Sequence, residues 1–283
     1  MKKLDGGELR GHHSVFFRDN RMVRKILEPQ YPFIREEVEL WKKRIEVFYD
    51  HLRRLGVPVV PEHHVVINGD NSLIEHSTDG GVDFQELLIQ GRITPQQAVE
   101  EILAAIAGVL DQAKPQVGID AQPAHWCLAD GQVTYVDYHP PYYMEDGVPL
   151  VGFPQPAEAD RELNFQRHYS PLGIIRSLRF NIVRLAGKEG ETAFCQAIKD
   201  YPTLAEQLSL LIVEVIRQQP ERLPEIIAPW NLERVNDLRE IAMFCYPELV
   251  NPVLQLTMVD FRISREVRRQ RFEEAKQLFL QHC

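Results

Sequence analysis

The spacing of hydrophobic positions changes period along the chain. Val15, Phe16 and Phe17 precede the polar pair Asp19-Asn20, and Met22 to Leu27 follows it. Short apolar runs on either side of a turn pair predict a β-hairpin. Gly6, Gly7 and Gly11 punctuate the approach to it, and Pro29 and Pro32 end it. Over residues 33–55 the period lengthens. Trp41, Ile45, Phe48, Leu52 and Leu55 recur at helical spacing, and Gly56 and Pro58 close the run, which predicts one long amphipathic helix. His64 to Ile67 and Ser72 to His76 read as two further strands around a Gly-Asp-Asn turn.

Residues 83–112 return to a helical pattern, with Thr94 as a cap and Pro95 at the first helical position. An irregular stretch, Pro115 to Ala124, leads into a second hairpin. Its strands are Trp126 to Leu128 and Val133 to Tyr138, its turn is Ala129-Asp130-Gly131, and Pro140 and Pro141 break it. From Glu158 onward helical spacing dominates, clearest at Leu172–Leu185, Leu204–Arg217, Leu232–Phe244 and Ile263–Phe279. Strands gathered early and helices gathered late predict an α+β fold. The expected division is a small N-terminal β-sheet lobe with one long helix, residues 1–77, and a larger, mainly helical C-terminal lobe carrying the second hairpin, residues 78–283.

Composition narrows the function classes. The 283 residues, 44% apolar and 26% charged, describe one or two ordinary globular domains. The longest apolar run, Ile102 to Leu110, is nine residues, whereas a membrane span needs roughly 20. Lys2 and Lys3 are followed by charge and glycine and not by an apolar stretch, so no secretory signal is expected. Cys127, Cys195, Cys245 and Cys283 are far apart in sequence. Neither a disulfide framework nor a zinc site is expected, and a cytoplasmic location is the default. A net charge of −9 argues against a general nucleic-acid binder.

The residues that carry chemistry fall in a particular order. Glycines such as Gly7 and Gly11 let backbone N–H groups approach phosphate oxygens without a Cβ in the way. Lys25 shares a strand face with Val23 by the period of two. A lysine buried on that face needs a counter-charge, and Glu37, four residues before Trp41 on the long helix, is the expected partner. Asp120 stands in the irregular loop and Asp137 at the end of the hairpin. A turn centred between Asp130 and Gly131 sets position 125 opposite 136, which makes His125 a diagonal neighbour of Asp137. The carboxylate of Asp137 ends an apolar strand and calls for compensation, which a bound cation would supply.

Three stretches, LDGGELRGHHSVFFRDNRMVRKIL, SLIEHSTDGGVDFQELLIQGRIT and GIDAQPAHWCLADGQVTYVDYHPP, together resemble the protein-kinase-like fold. The likeness is to its aminoglycoside phosphotransferase and choline kinase group, and it covers roughly residues 4–143. It implies a phosphate-covering hairpin with Gly7 and Gly11, and Lys25 directed at the α- and β-phosphates. It also implies a hinge around Glu75 and His76 whose backbone holds adenine. Asp120 would orient or deprotonate the attacking hydroxyl, and Asp137 would chelate magnesium between the phosphates. The chain departs from the family at Gly118, where a histidine is usual, and at His125, where a metal-binding asparagine is usual. Imidazole suits magnesium poorly, so manganese is the other metal to consider.

The function this implies is transfer of the ATP γ-phosphoryl group to a hydroxyl of a small molecule, with metal assistance. The alternative is a catalytically degenerate pseudokinase acting as a nucleotide-binding or interaction module. A protein kinase is disfavoured, because Pro140 and Pro141 follow the Asp137 strand with no room for an activation segment.

Overall fold

The structure, a computed structural model, describes residues 2–3, 14–19, 21–27, 35–151, 164–165 and 167–201. Gly7 and Gly11 and the expected helices beyond residue 202 lie outside the described residues. What is described is a mixed α+β protein with small antiparallel sheets and several helices.

Residues β1 (Lys2–Lys3), β2 (Ser14–Asp19), β3 (Met22–Leu27), β4 (His63–Ile67) and β5 (Leu73–Thr78) form an antiparallel sheet of order β1-β2-β3-β5-β4. The register aligns Phe16 with Lys25, Lys25 with Glu75, and Glu75 with Val65. Because side chains alternate across a strand, those four share one face. Leu27, Leu73 and Val65 on the same face are buried, whereas Arg24, His76 and His64 lie on the other, where His64 and His76 stack at 5.0 Å.

Helix α1 (Arg35–Arg54) joins β3 to β4. Its buried stripe is Val38, Trp41, Ile45, Phe48, Tyr49 and Leu52, a 3.6-residue repeat that packs toward β4. The chain leaves it through Gly56, whose φ of 76° takes the left-handed conformation common after a helix.

The 83–112 helical zone is divided into α2 (Phe84–Ile89), α3 (Pro95–Ala105) and α4 (Ala107–Leu110). Thr94 caps α3 as expected: its Oγ1 accepts from the Gln97 amide at 3.1 Å. In α4, Gly108 touches the end of α1 so closely that a Cβ there would lie 2.0 Å from the Leu55 carbonyl oxygen.

The second hairpin is β7 (Trp126–Ala129) and β8 (Gln132–Tyr135), with β6 (Val82–Asp83) against β7. Trp126 pairs with Tyr135, and Val136 donates to the His125 carbonyl at 3.0 Å, which is the predicted register. A small ribbon, β9 (Met144–Glu145) and β10 (Val148–Pro149), follows. Helix α5 (Pro171–Ala197) is interrupted at Gly187, whose φ of 55° and ψ of −128° are not helical.

The chain forms two compact units. One contains residues 1–86 and 102–170, the other 87–101 and 171–283. The boundary expected after residue 77 is therefore displaced: the hairpin with Asp120, His125 and Asp137 belongs to the unit built on the five-stranded sheet. Among the described residues no helix is long and apolar enough to cross a membrane.

Candidate functional site

Within the sheet-containing unit, ionisable side chains from five separate stretches of sequence meet in one line. Lys25 on β3 is 8% exposed. Its Nζ lies 2.7 Å from Asp137 Oδ1 and 3.5 Å from Glu75 Oε1. The other oxygen of Glu75 is 3.1 Å from His63 Nε2. Beyond Asp137, its Oδ2 is 3.5 Å from His125 Nε2, and His125 Nδ1 is 3.8 Å from Asp120 Oδ2. His125 thus stands between two carboxylates.

Local structure explains each position. Strand alternation turns Lys25 and Glu75 to the buried face, and the ladder sets them directly opposite. His63 precedes Val65 on that face of β4 and is held between the rings of Tyr49 and Tyr138, at 5.0 and 4.4 Å. The 3₁₀ turn Pro123–His125 brings the imidazole round to Asp137, and the turn is closed by the His125 amide donating to the Gln122 carbonyl at 2.9 Å. Asp120 accepts from the Gln122 side-chain amide at 2.7 Å and from the Gln122 backbone at 3.3 Å.

Two sequence expectations are corrected. Lys25 does not depend on Glu37: its close carboxylates are Glu75 and Asp137, and Glu37 is an exposed residue in the first turn of α1. Trp41 lies within the buried stripe, but that stripe begins at Val38, so position 37 is rotated outward. Nor is the backbone around Glu75 and His76 free to hold a ring. β5 lies between β3 and β4, and its amides and carbonyls are engaged in two ladders. Glu75 is instead a buried counter-ion, and His76 is on the opposite face. The chain leaves the sheet later, at Asp79–Gly81. There Arg18 grips both Asp79 oxygens, at 2.7 and 3.1 Å, and also donates to the Gly81 carbonyl at 3.1 Å. Gly81 has φ of 99°, and a Cβ there would be 2.3 Å from the Leu128 carbonyl oxygen.

The electrostatics are those of a mutually compensating buried set. Burial alone would pull the Lys25 ammonium toward neutrality, but Asp137 and Glu75 outweigh it and hold its pKa above the ordinary lysine value. Burial opposes ionisation of the carboxylates in the same way and is again outweighed. Lys25 and His125 hold Asp137 below its usual value, and Lys25 and His63 do so for Glu75. His125, His168 and Arg167 do so for Asp120. Three carboxylates, Glu75, Asp120 and Asp137, share this line with the one ammonium of Lys25, and Arg167 contributes its positive charge from outside it. By contrast the buried Cys127 thiol is pushed up to about 12, first by burial, which leaves it unreactive.

Among the described residues no three His, Cys, Asp or Glu side chains are grouped so as to hold a metal ion unaided. Asp137 and His125 offer two donors facing one another. Magnesium keeps several waters and is commonly bound by one or two carboxylates together with substrate phosphates. The Asp137 carboxylate matches that mode, the His125 nitrogen does not, and the two together fall short of an all-protein cage.

Sequence reasoning missed His63 and His168. The alternation that buried Val65 on β4 also buries His63, and this was the available signal. His168, remote in sequence from the loop it touches, gave none. A scan of the chain against protein-family models and a search of curated proteins each found no match.

Proposed function

We propose that this protein transfers the γ-phosphoryl group of ATP to a hydroxyl of a small molecule. The arrangement would be a protein-kinase-like one of the aminoglycoside phosphotransferase and choline kinase type. The observation that carries the reading is the continuous Lys25–Asp137–His125–Asp120 line. Its members supply a phosphate-facing ammonium, a pair of metal donors and a proton acceptor, and a phosphotransfer site needs those roles side by side. Phosphoryl transfer asks of a protein mainly positioning and charge stabilisation.

In this reading Lys25 meets phosphate oxygens. The ion pair with Asp137 holds its ammonium in place until they arrive. Asp137 and His125 hold the divalent ion, which when bound neutralises phosphate charge. Asp120, kept ionised and aimed by Gln122, accepts the hydroxyl proton of the acceptor.

The test has two steps. A thermal shift with ATP that requires magnesium or manganese, and that is lost in Lys25→Ala, supports the nucleotide site; no shift with any metal would sink it. ATP consumption is then measured across a panel of small alcohols and amino alcohols. The pseudokinase reading draws its support from His125, a nitrogen donor where oxygen serves magnesium better. Metal-dependent binding without consumption for any acceptor would favour it.

A further inference from the structure

We propose that Lys25 is built to change counter-ions. Asp137 holds its ammonium first, and Glu75, aimed by His63, holds it once Asp137 is drawn away. His63 is then a positioning residue that acts through Glu75. The inference rests on the phosphotransfer reading only for what draws Asp137 away, which is its share in binding a divalent ion.

The two carboxylates beside Lys25 are engaged unequally. Asp137 Oδ1 accepts a hydrogen bond from Nζ at 2.7 Å. Glu75 Oε1 lies 3.5 Å from the same nitrogen. It is buried and has no hydrogen-bond partner among the described residues. A buried acceptor left without a donor is rare in folded proteins and calls for a reason. Here a donor stands beside it. An ammonium carries three N–H groups, and a shift of less than about 1 Å would bring Nζ within bonding range of Oε1.

The two carboxylates are also held unequally. Glu75 stands directly opposite Lys25 in one ladder and opposite Val65 in the next. Its second oxygen, Oε2, is 3.1 Å from His63 Nε2. A carboxylate oxygen accepts, so that nitrogen carries the proton and donates. The imidazole is itself fixed. Its ring stacks on Tyr49 at 5.0 Å and 22° and lies 4.4 Å from the ring of Tyr138. Both tyrosine hydroxyls are anchored, Tyr49 on the Val60 carbonyl at 2.7 Å and Tyr138 on the Tyr135 carbonyl at 2.6 Å. With Oε2 pinned in this way, Oε1 stays turned toward Lys25. Asp137 lies beyond the end of β8, and its side chain is 18% exposed against 4% for Glu75. Glu75 is the fixed counter-ion and Asp137 the one free to leave. Without Glu75, the departure of Asp137 would strand a buried ammonium.

The exchange is read directly in a crystal structure of Asp137→Asn. The variant should fold, and Nζ should move to within about 3.2 Å of Glu75 Oε1. The role of His63 is read from binding. His63→Phe keeps a ring between the two tyrosines but loses the donor, whereas His63→Gln keeps a donor. Affinity is measured for magnesium-ATP and for ATP with the metal removed by a chelator. Metal-free ATP leaves Asp137 on Lys25, so His63→Phe should bind it as the wild type does. Magnesium-ATP draws on Asp137, so its affinity should fall roughly tenfold in His63→Phe, the worth of about one hydrogen bond. His63→Gln should recover most of that loss. A merely structural role for His63 would lower both affinities alike. The proposal is overturned by an Asp137→Asn variant that does not fold, or by an Nζ that stays on residue 137 or turns away from Glu75. Equal losses for the two forms of the nucleotide in His63→Phe, or no recovery in His63→Gln, would overturn it as well. If the wild-type protein binds ATP in neither form, the phosphotransfer reading fails on that result, and the Asp137→Asn structure alone decides the exchange.

Discussion

At one end of the charged line, Lys25 is located by the register of a sheet; at the other, Asp120 is located by a loop. The ladder that aligns Lys25 with Glu75 consists of many backbone hydrogen bonds, and removing any one side chain leaves it standing. What fails there is charge balance, because buried carboxylates have been compensated by a single ammonium. The Asp120 end has a few individual contacts, from Gln122, His168 and Tyr142, and depends on geometry more than on charge. The Lys25 end should therefore respond to mutation chiefly in stability and nucleotide affinity, and the Asp120 end in rate.

The largest effect that would sharpen this contrast is in catalysis. Asp120→Asn should lower turnover by roughly 10²–10⁴-fold, the usual contribution of a general base, with ATP affinity preserved. Isothermal titration beside single-turnover kinetics separates the two, and a parallel fall in both would erase the distinction between the ends. Next comes Lys25→Met. It strands Glu75 and Asp137 and should cost about 3–5 kcal/mol of folding stability, as expected for breaking a buried pair. Urea unfolding near neutral pH measures this, and a loss within about 0.5 kcal/mol would mean that solvent screens the cluster as it does a surface pair.

Acid should discriminate the ends more finely. Glu75, Asp120 and Asp137 have folded-state pKa values below their ordinary ones. Their contribution is therefore present above the unfolded values, near 4, and is lost as pH falls through the lower folded values. His168 acts in the same direction from a higher start: burial lowers its pKa from 6.5 to about 3. Its neutral folded form contributes fully above pH 6.5, and that contribution is lost as pH falls toward 3. Lys25, raised from 10.5, contributes fully below 10.5 and loses that contribution only as pH rises beyond it. The wild type should begin to weaken below about pH 6.5. His51 and His76 are also held below 6.5, first by burial, so His168→Phe should share that onset but weaken less steeply between about pH 6.5 and pH 4.5. Denaturant midpoints across that interval decide the matter; equal slopes would contradict it.

The smallest change is expected at His125→Asn. An oxygen donor suits magnesium better, so magnesium-dependent activity should be maintained or should rise modestly. A large loss, measured with magnesium and manganese in parallel, would show that the imidazole serves the two carboxylates more than it serves an ion.

These contrasts also account for what could be read from sequence. Lys25, Asp137 and the pairing of His125 followed from alternation and turn position, which are short-range rules. Glu37 was misjudged because the helix phase was centred on Trp41, when Val38 and Ile45 show that the buried stripe passes beside it. Glu75 was recognised as important but given a backbone role that a strand between two neighbours cannot play. Its actual role needed the order β3-β5-β4, which no local pattern encodes. Alternation could have set His63 on the face of Val65, but its contact with Glu75 depends on strand order, and His168 depends on a contact between distant segments. Of the fold, the early sheet, the long helix and the second hairpin were legible; the assignment of that hairpin to the sheet-containing unit was not.

The bare contact between Gly108 and the Leu55 carbonyl has a bearing on descent. Nothing about it depends on chemistry: a side chain at 108 would push α4 off the end of α1 whether or not the protein turns over a substrate. Selection for the fold should hold Gly108, and Gly81 with it, in every lineage that keeps this architecture. Selection for a reaction should hold Asp120 and Lys25 only while the reaction is useful. Branches that retain the glycines and lose the charged residues would be descendants in which the scaffold outlived the activity. Branches that retain both would still be under selection as catalysts.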